Sequence, residues 1–261
     1  MQISKRLEAV ADMVTSGCRI VDGGTDHGYI PIFLTEAGKI THAIAGDVNR
    51  GPLQKAVEHI SQYGLEEQIE TRLSDGLAAV QPGEADSIII AGMGGPLTVR
   101  ILKEGKAVAD QCRELILQPQ SDIRQVRSYL EEIGWHIVRE EMIFEDGKFY
   151  PMMRAVKRLE CLCKDSAEAA DTGRESEGVT QEAEIPASES RMSEAELRYG
   201  PLLIQKKHPV LREYLLREQG LNQKILEALK GQEGEGSQKR REEVEGELRI
   251  IGEVLMNYQE D

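Results

Sequence analysis

Aromatic residues are scarce in this chain, with one Trp, three Phe and seven Tyr among 261 residues. Its four cysteines, Cys18, Cys112, Cys161 and Cys163, include a single close pair, spaced C-L-C. That spacing is neither a CxxC redox motif nor a zinc knuckle, so the thiols read as reduced and structural, as in a cytoplasmic protein. The histidines form no cluster with carboxylates at ligand spacing, and no metal is implied. No apolar run approaches the length of a membrane span. The opening residues, MQISKRLEAVADMV, alternate at helical spacing rather than forming a leader. A soluble, uncleaved protein with no membrane partner is expected, and a monomer.

Excess basic charge is also lacking, since the formal net charge is −14. Taken alone this argues against a nucleic-acid partner, because binding to phosphates needs Lys and Arg to neutralise them. The distribution changes that reading. Residues 160–196 hold eleven acidic and three basic side chains, more than half of the net charge. The same stretch is rich in Glu, Ala, Ser and Thr and poor in large apolar residues, as expected of a flexible tether. The chain therefore divides into a domain at 1–158, an acidic linker at 159–196 and a C-terminal segment at 197–261.

Within the first domain, short apolar runs alternate with amphipathic stretches. Strands are expected at CRIVDGG, HAIAGDV, IETRLSD, SIIIAGM and ELILQPQ, with helices beginning near Tyr29, Pro52, Leu77, Pro96 and Asp122. Such alternation predicts an α/β fold, a parallel Rossmann-like sheet with helices on both faces. WHIVREEMIF and KFYPMMRAVK, joined by Asp146-Gly147, then read as an antiparallel hairpin. This is the layout of class I methyltransferases. In the C-terminal segment, Leu211, Tyr214, Leu221, Ile225 and Ala228 form one stripe and Val244, Leu248, Ile251, Leu255 and Tyr258 another. Together they predict an antiparallel helical hairpin of coiled-coil type.

The first strand-to-helix turn, Asp22-Gly23-Gly24-Thr25-Asp26-His27-Gly28, lies where open α/β sheets bind ligands. Its glycines let a ligand approach the backbone. A glycine-rich turn also serves dinucleotides, but a pyrophosphate would meet the like charges of Asp22 and Asp26 with no base to offset them. S-adenosylmethionine instead presents an ammonium and a sulfonium, which carboxylates stabilise. The second strand ends at Asp47 beside Val48, where a carboxylate can accept ribose hydroxyls. The third ends at Asp75-Gly76, where an acid can accept from an adenine amine. Ala91 and Gly92, ending the fourth strand, complete the expected cofactor site. Each acid alone could be a helix cap or turn former; the three strand ends together point to S-adenosylmethionine.

Four motifs go further: S-K-R-L at 4–7, D-G-G-T-D-H-G-Y-I-P at 22–31, A-G-M-G-G at 91–95 and L-I-L-Q-P-Q at 115–120. In combination they resemble the bacterial TrmK family, tRNA (adenine-N1)-methyltransferases acting on the adenine at position 22. The resemblance covers residues 1–157 by motif, and a linker with a helical hairpin fits the family's plan. It implies a cofactor site containing Asp22, Gly24, Asp47, Asp75 and Gly76. It also implies that His27, Tyr29 and Met93 lie toward the methyl-transfer centre. The family pattern after the fifth strand is Q-P-N, and this chain has Gln118-Pro119-Gln120, a longer amide at the last position.

The acceptor chemistry is consistent with that resemblance. Many exocyclic amino-group methyltransferases carry an Asn/Asp-Pro-Pro-aromatic motif where this chain has A-G-M-G-G, an absence that disfavours N6-adenine or N4-cytosine transfer and leaves an endocyclic nitrogen open as acceptor. The glycines flanking Met93 would let a flat base approach the backbone, and Tyr29 offers a ring for stacking. His27 either orients the turn or shuttles a proton. Lys5, Arg6, Arg100, Gln118 and Gln120 are the expected substrate contacts, with Arg124 and Arg127 among further basic candidates for a tRNA footprint. A small-molecule methyltransferase and a catalytically silent tRNA-binding module are the alternatives.

Overall fold

The computed structural model describes residues 1–157, 191–232 and 234–258. The apolar runs become strands β1 (Arg19–Gly23), β2 (His42–Asp47), β3 (Ile69–Leu73), β4 (Ser87–Gly94) and β5 (Glu114–Ser121). The hairpin supplies β6 (Trp135–Glu145) and β7 (Lys148–Lys157). Their order across one sheet is β3-β2-β1-β4-β5-β7-β6. Pairing is parallel from β3 to β5 and antiparallel at β7 and β6. Strand order reverses between β1 and β4, which opens a crevice at the carboxyl ends of those strands.

Period-two alternation along the strands feeds two cores. Val21, Ile88, Ile90, Leu115 and Leu117 face one side. Ile20, Ile89 and Ile116 face the other. The second side is covered by α1 (Lys5–Asp12), α2 (Tyr29–Glu36) and α3 (Arg50–Gln62), which contribute Val10, Ile32 and Ile60. The first is covered by α4 (Gly95–Glu104), the short α5 (Lys106–Ala109) and α6 (Ile123–Glu132), through Val99, Val108 and Val126. Each fully buried aliphatic side chain is worth about 1.5–3 kcal/mol. The S-K-R-L motif is a helix start, since the Ser4 hydroxyl accepts from the Leu7 amide at 3.3 Å and caps α1.

One predicted helix does not form. After β3, residues 77–79 make only turns, with the Ala78 amide donating to Asp75 O and the Val80 amide to Leu77 O. Gly76 at φ +57° precedes this segment and Pro82-Gly83 follows it, so no room is left for helical turns. Leu77 and Val80 are instead pinned into the core. The hairpin turn is as expected, with Asp146 and Gly147 at φ +49° and +76°. Pro151 is tolerated in β7 because the ladder to β5 involves only residues 153–156.

The described C-terminal residues form α7 (Glu194–Tyr199), α8 (Pro201–Gln205), α9 (Pro209–Leu229) and α10 (Glu235–Met256). Residues 159–190, most of the predicted linker, lie outside the described residues, and α7 begins within its last few positions. Ser193 and Glu196 start α7 with a reciprocal capping box. α9 and α10 pack against each other, but of the stripe residues Leu221 is 44% exposed and Ala228 is exposed as well. Burial concentrates near the N-terminal domain, where Leu211, Leu215, Ile251, Val254 and Leu255 pack with Tyr199, Leu203 and, from β6, Met142.

A buried ion pair joins the two parts. Arg127 of α6 is fully buried, which removes it from any RNA footprint. Its Nε donates to Glu140 Oε1 at 2.9 Å, and its Nη1 donates to the carbonyls of Leu197 and Arg198, both at 3.0 Å. Glu140 Oε2 accepts from the amides of Leu202 at 2.9 Å and Leu203 at 3.4 Å. The cation thus meets the last carbonyls of α7 and the anion meets the first amides of α8, groups that helices leave unpaired. Gly200, at φ +97°, connects the two helices, and a Cβ there would sit 2.6 Å from the Glu140 oxygens.

Candidate active site

The carboxyl ends of β1, β2 and β4, with the segment after β3, enclose a cleft of about 510 Å³. Asp22, next to last in β1, lies on its floor, 3% exposed and flanked by Ala45 of β2 and Ile89 of β4. Burial pushes its carboxyl up to about 7, and the nearby acids Asp47 and Asp26 act in the same direction. A carboxylate desolvated among acids favours a cationic ligand.

The glycine turn rises over that floor. Gly24 is at φ +138°, and a Cβ there would lie 2.1 Å from Met93 Cε, so Met93 rests directly on the turn. The Thr25 amide donates to Gly46 O at 2.9 Å and ties the turn to β2. His27, at φ +67°, directs its Nδ1 to Asp26 Oδ1 at 3.0 Å. His59 Nδ1 of α3 lies 3.0 Å from the His27 carbonyl. His27 therefore braces the turn against α3 and is not part of the cleft wall. Tyr29 does line the cleft, with its ring stacked on His59 at 5.5 Å.

At the end of β2 the Asn49 amide donates to Asp47 Oδ1 at 2.7 Å and fixes that carboxylate, while Val48 is 59% exposed at the cleft edge. Beyond β3, Arg100 from α4 donates to both oxygens of Asp75 at 3.0 and 3.2 Å. Two residues expected to serve different ligands are thus one ion pair. Gly76 lets α4 approach, since a Cβ there would strike Ile101 at 2.7 Å.

The end of β4 is irregular, with register shifts against β5 on either side of Met93. Gln118 of β5 is fully buried behind this wall. Its Oε1 accepts from the Gly92 amide at 3.2 Å and from Arg6 Nη1 at 2.9 Å. The Arg6 guanidinium, delivered by α1, also lies 5.4 Å from the centre of the Tyr150 ring. Of the three glycines, Gly95 serves backbone packing, since a Cβ there would stand 2.6 Å from Asp122 O, and Gly94 abuts Ser121 Oγ. Ala91, Gly92 and Met93 face the cleft.

The cleft thus collects all ten residues expected at the cofactor, together with Tyr29, Met93, Arg6, Arg100 and Gln120. His27, Lys5 and Gln118 are not on its wall. The Lys5 amide instead donates to Glu145 Oε1 at 2.9 Å. Sequence reasoning missed Leu97, which lines the cleft and is 38% exposed. Its signal is an apolar residue directly after the Pro96 that opens α4. Ser74 was also missed, although it precedes Asp75 in the same turn.

A methyltransferase domain model matches residues 3–153. A Bacillus subtilis protein, tRNA (adenine(22)-N(1))-methyltransferase, is 30% identical over 256 residues, 98% of each chain. This chain belongs to the TrmK family. A Streptococcus pneumoniae structure in complex with S-adenosyl-L-methionine is 34% identical, with a TM-score of 0.77 over 97% of this chain and 100% of that one. The Mycoplasma capricolum TrmK, in complex with S-adenosyl-homocysteine, is 25% identical, with a TM-score of 0.77 over 98% of this chain and 99% of that one. TrmK likeness therefore extends past the matched domain, which ends within β7, through the C-terminal helices.

Proposed function

We propose that this chain transfers a methyl group from S-adenosylmethionine to N1 of an adenine in tRNA, the adenine at position 22. The observation that carries the reading is the buried Asp22 beneath a glycine turn that Met93 overlies, an anionic floor suited to an ammonium and ill suited to a pyrophosphate. The family membership supplies the acceptor.

Bound in this cleft, S-adenosylmethionine supplies a methyl group already activated by a sulfonium. Asp22 would accept from its ammonium and Asp47 from its ribose hydroxyls, and Asp75, held by Arg100, would meet the adenine end. The acceptor N1 carries an in-plane lone pair at neutral pH, so no residue has to remove a proton before attack. The protein's task is alignment and exclusion of water. Tyr29 and Met93 form the apolar wall against which a flipped base is held, and Arg6 and Gln120 present donors at its edge. Gln118 acts one layer behind, fixing Arg6 and the Gly92 backbone together. His27 shapes the turn.

Incubation with labelled S-adenosylmethionine and unmodified tRNA, followed by nucleoside mapping, tests the reading. The expected product is 1-methyladenine at position 22; label at another atom, or only on small metabolites, rejects it. The same reading makes the enzyme a cytoplasmic monomer, to be checked by sedimentation. Its buried Cys18, whose thiol is pushed up to about 11 by burial, fits a protein whose thiols take no part in redox chemistry.

A further inference from the structure

A second cavity, of about 420 Å³, adjoins the cleft and shares Gln120 with it. It lies between the tip of the β6–β7 hairpin and the C-terminal helices. In a chain with only eleven aromatic residues, Phe149, Tyr150, Tyr199 and Tyr214 all line this one cavity. Phe149 meets Tyr214 edge-on at 5.2 Å, and Tyr199 meets Tyr214 at 6.4 Å. Cations lie at the aromatic faces. The Arg217 guanidinium is 5.7 Å from the Phe149 ring centre, and Arg6 covers Tyr150 at the boundary with the cleft. Lys148 and Arg198 also line the cavity, Arg198 held by Glu194 at 2.7 Å. Glu218 is the single carboxylate among the lining residues, set against Arg127, Lys148, Arg198 and Arg217.

Flat π surfaces with cations at the rim are how proteins hold unpaired bases of RNA, stacking the base and leaving the backbone at the basic edge. The shared Gln120 makes this cavity continuous with the cleft where the target adenine is held. We propose that it takes a second nucleobase of the substrate RNA, one adjacent to the methylated adenine. The base takes the place of the Arg217 guanidinium over the Phe149 ring, beside Tyr214, and the displaced Arg217, together with Lys148, meets the flanking phosphates. The proposal rests on the tRNA reading above. It gives the C-terminal helices a share in substrate recognition, because Tyr199, Tyr214 and Arg217 all come from them.

The test uses the full-length protein and tRNA transcripts carrying 2-aminopurine on the 5′ or the 3′ side of the target adenine. Binding to the parent enzyme should change the fluorescence of one of the two probes, and Phe149→Leu and Arg217→Ala should diminish that change. Phe149→Leu should raise the KM for tRNA about tenfold, the scale of losing one stacked base, and Arg217→Ala about threefold, both with the KM for S-adenosylmethionine within about twofold of the parent. Lys148→Ala alters an exposed side chain that no core depends on, so it decides the question even if Phe149→Leu fails to fold. It should raise the KM for tRNA about threefold and flatten its salt dependence. Unchanged tRNA kinetics in Lys148→Ala and Arg217→Ala, or silence of both probes while the parent methylates tRNA, overturns the cavity's role alone. A parent enzyme that methylates no tRNA overturns the underlying reading instead.

Discussion

Asp22 and Glu140 are two carboxylates removed from water to the same degree, each 3% exposed, yet their surroundings are opposite. Glu140 faces a guanidinium and two backbone amides. Asp22 faces other acids, and its carboxyl is raised to about 7. A buried charge that is fully paired holds structure together, whereas one left without a cation is costly to the empty fold and is compensated when a ligand brings the cation. On the proposed reading the contrast separates a residue kept for assembly from one kept for binding.

The largest test of that contrast is Arg127→Met. It leaves Glu140 charged and buried beside apolar groups, and a loss of about 3–5 kcal/mol is expected in urea unfolding; a loss below about 1 kcal/mol would mean the junction does not depend on the pair. Asp22→Asn should behave in the opposite sense. Affinity for S-adenosylmethionine should fall about 100-fold by calorimetry, on the scale of a charge-assisted hydrogen bond. The empty protein should gain stability at pH 8. The sign follows from a folded pKa of about 7 against an ordinary 3.8. Between those values the folded chain holds a proton that the unfolded chain has lost. This contribution is fully present below 3.8 and is lost as pH rises through about 7. Asn has no proton to lose, so its advantage over the parent should grow from pH 4 to pH 8.

Smaller in effect is the pH dependence of the parent's own affinity. On the proposed reading the ionised Asp22 is the form that would accept the ammonium, so the Kd for S-adenosylmethionine should rise at least about tenfold from pH 7.5 to 5.5. This dependence should vanish in Asp22→Asn; its persistence there would move the titration to another group. Least of all should Arg100→Ala matter to the fold, since both partners of the Arg100–Asp75 pair are substantially exposed. Melting should reveal almost no change in midpoint, and a clear loss would show that this pair, like Arg127–Glu140, is structural.

What the sequence made legible follows from local patterns. The apolar runs that became β1 to β5, the Asp146-Gly147 turn and the acids at three strand ends each depend on a few neighbouring residues. The helix expected at Leu77 failed because Gly76 and Pro82-Gly83 bound the segment more tightly than its composition suggested. Arg127 was misread as a surface base because its partner lies in another element, the strand after its own helix, and helical spacing gives no sign of it. A signal for the pair was present in β6, where Val138, Glu140 and Met142 alternate onto one buried face. An acid in that register needs a cation. Gln118 was misplaced for a related reason. It belongs to the buried part of β5, and only the irregular end of β4 brings Arg6 and Gly92 to its amide. The glycines of A-G-M-G-G likewise divided between ligand access and strand packing in a way that only the β4–β5 register reveals.

The Arg127–Glu140 junction also limits how the molecule can be recombined. Each of its charges comes from the catalytic domain, while the backbone groups it satisfies belong to α7 and α8 on either side of Gly200. A chimaera that exchanges the C-terminal helices between relatives must therefore preserve this lock and key as a unit: an arginine on α6, a glutamate on β6 and a glycine between the two short helices. Where any one differs, the graft exposes its mismatch at the seam, far from the cleft whose chemistry it was meant to retarget.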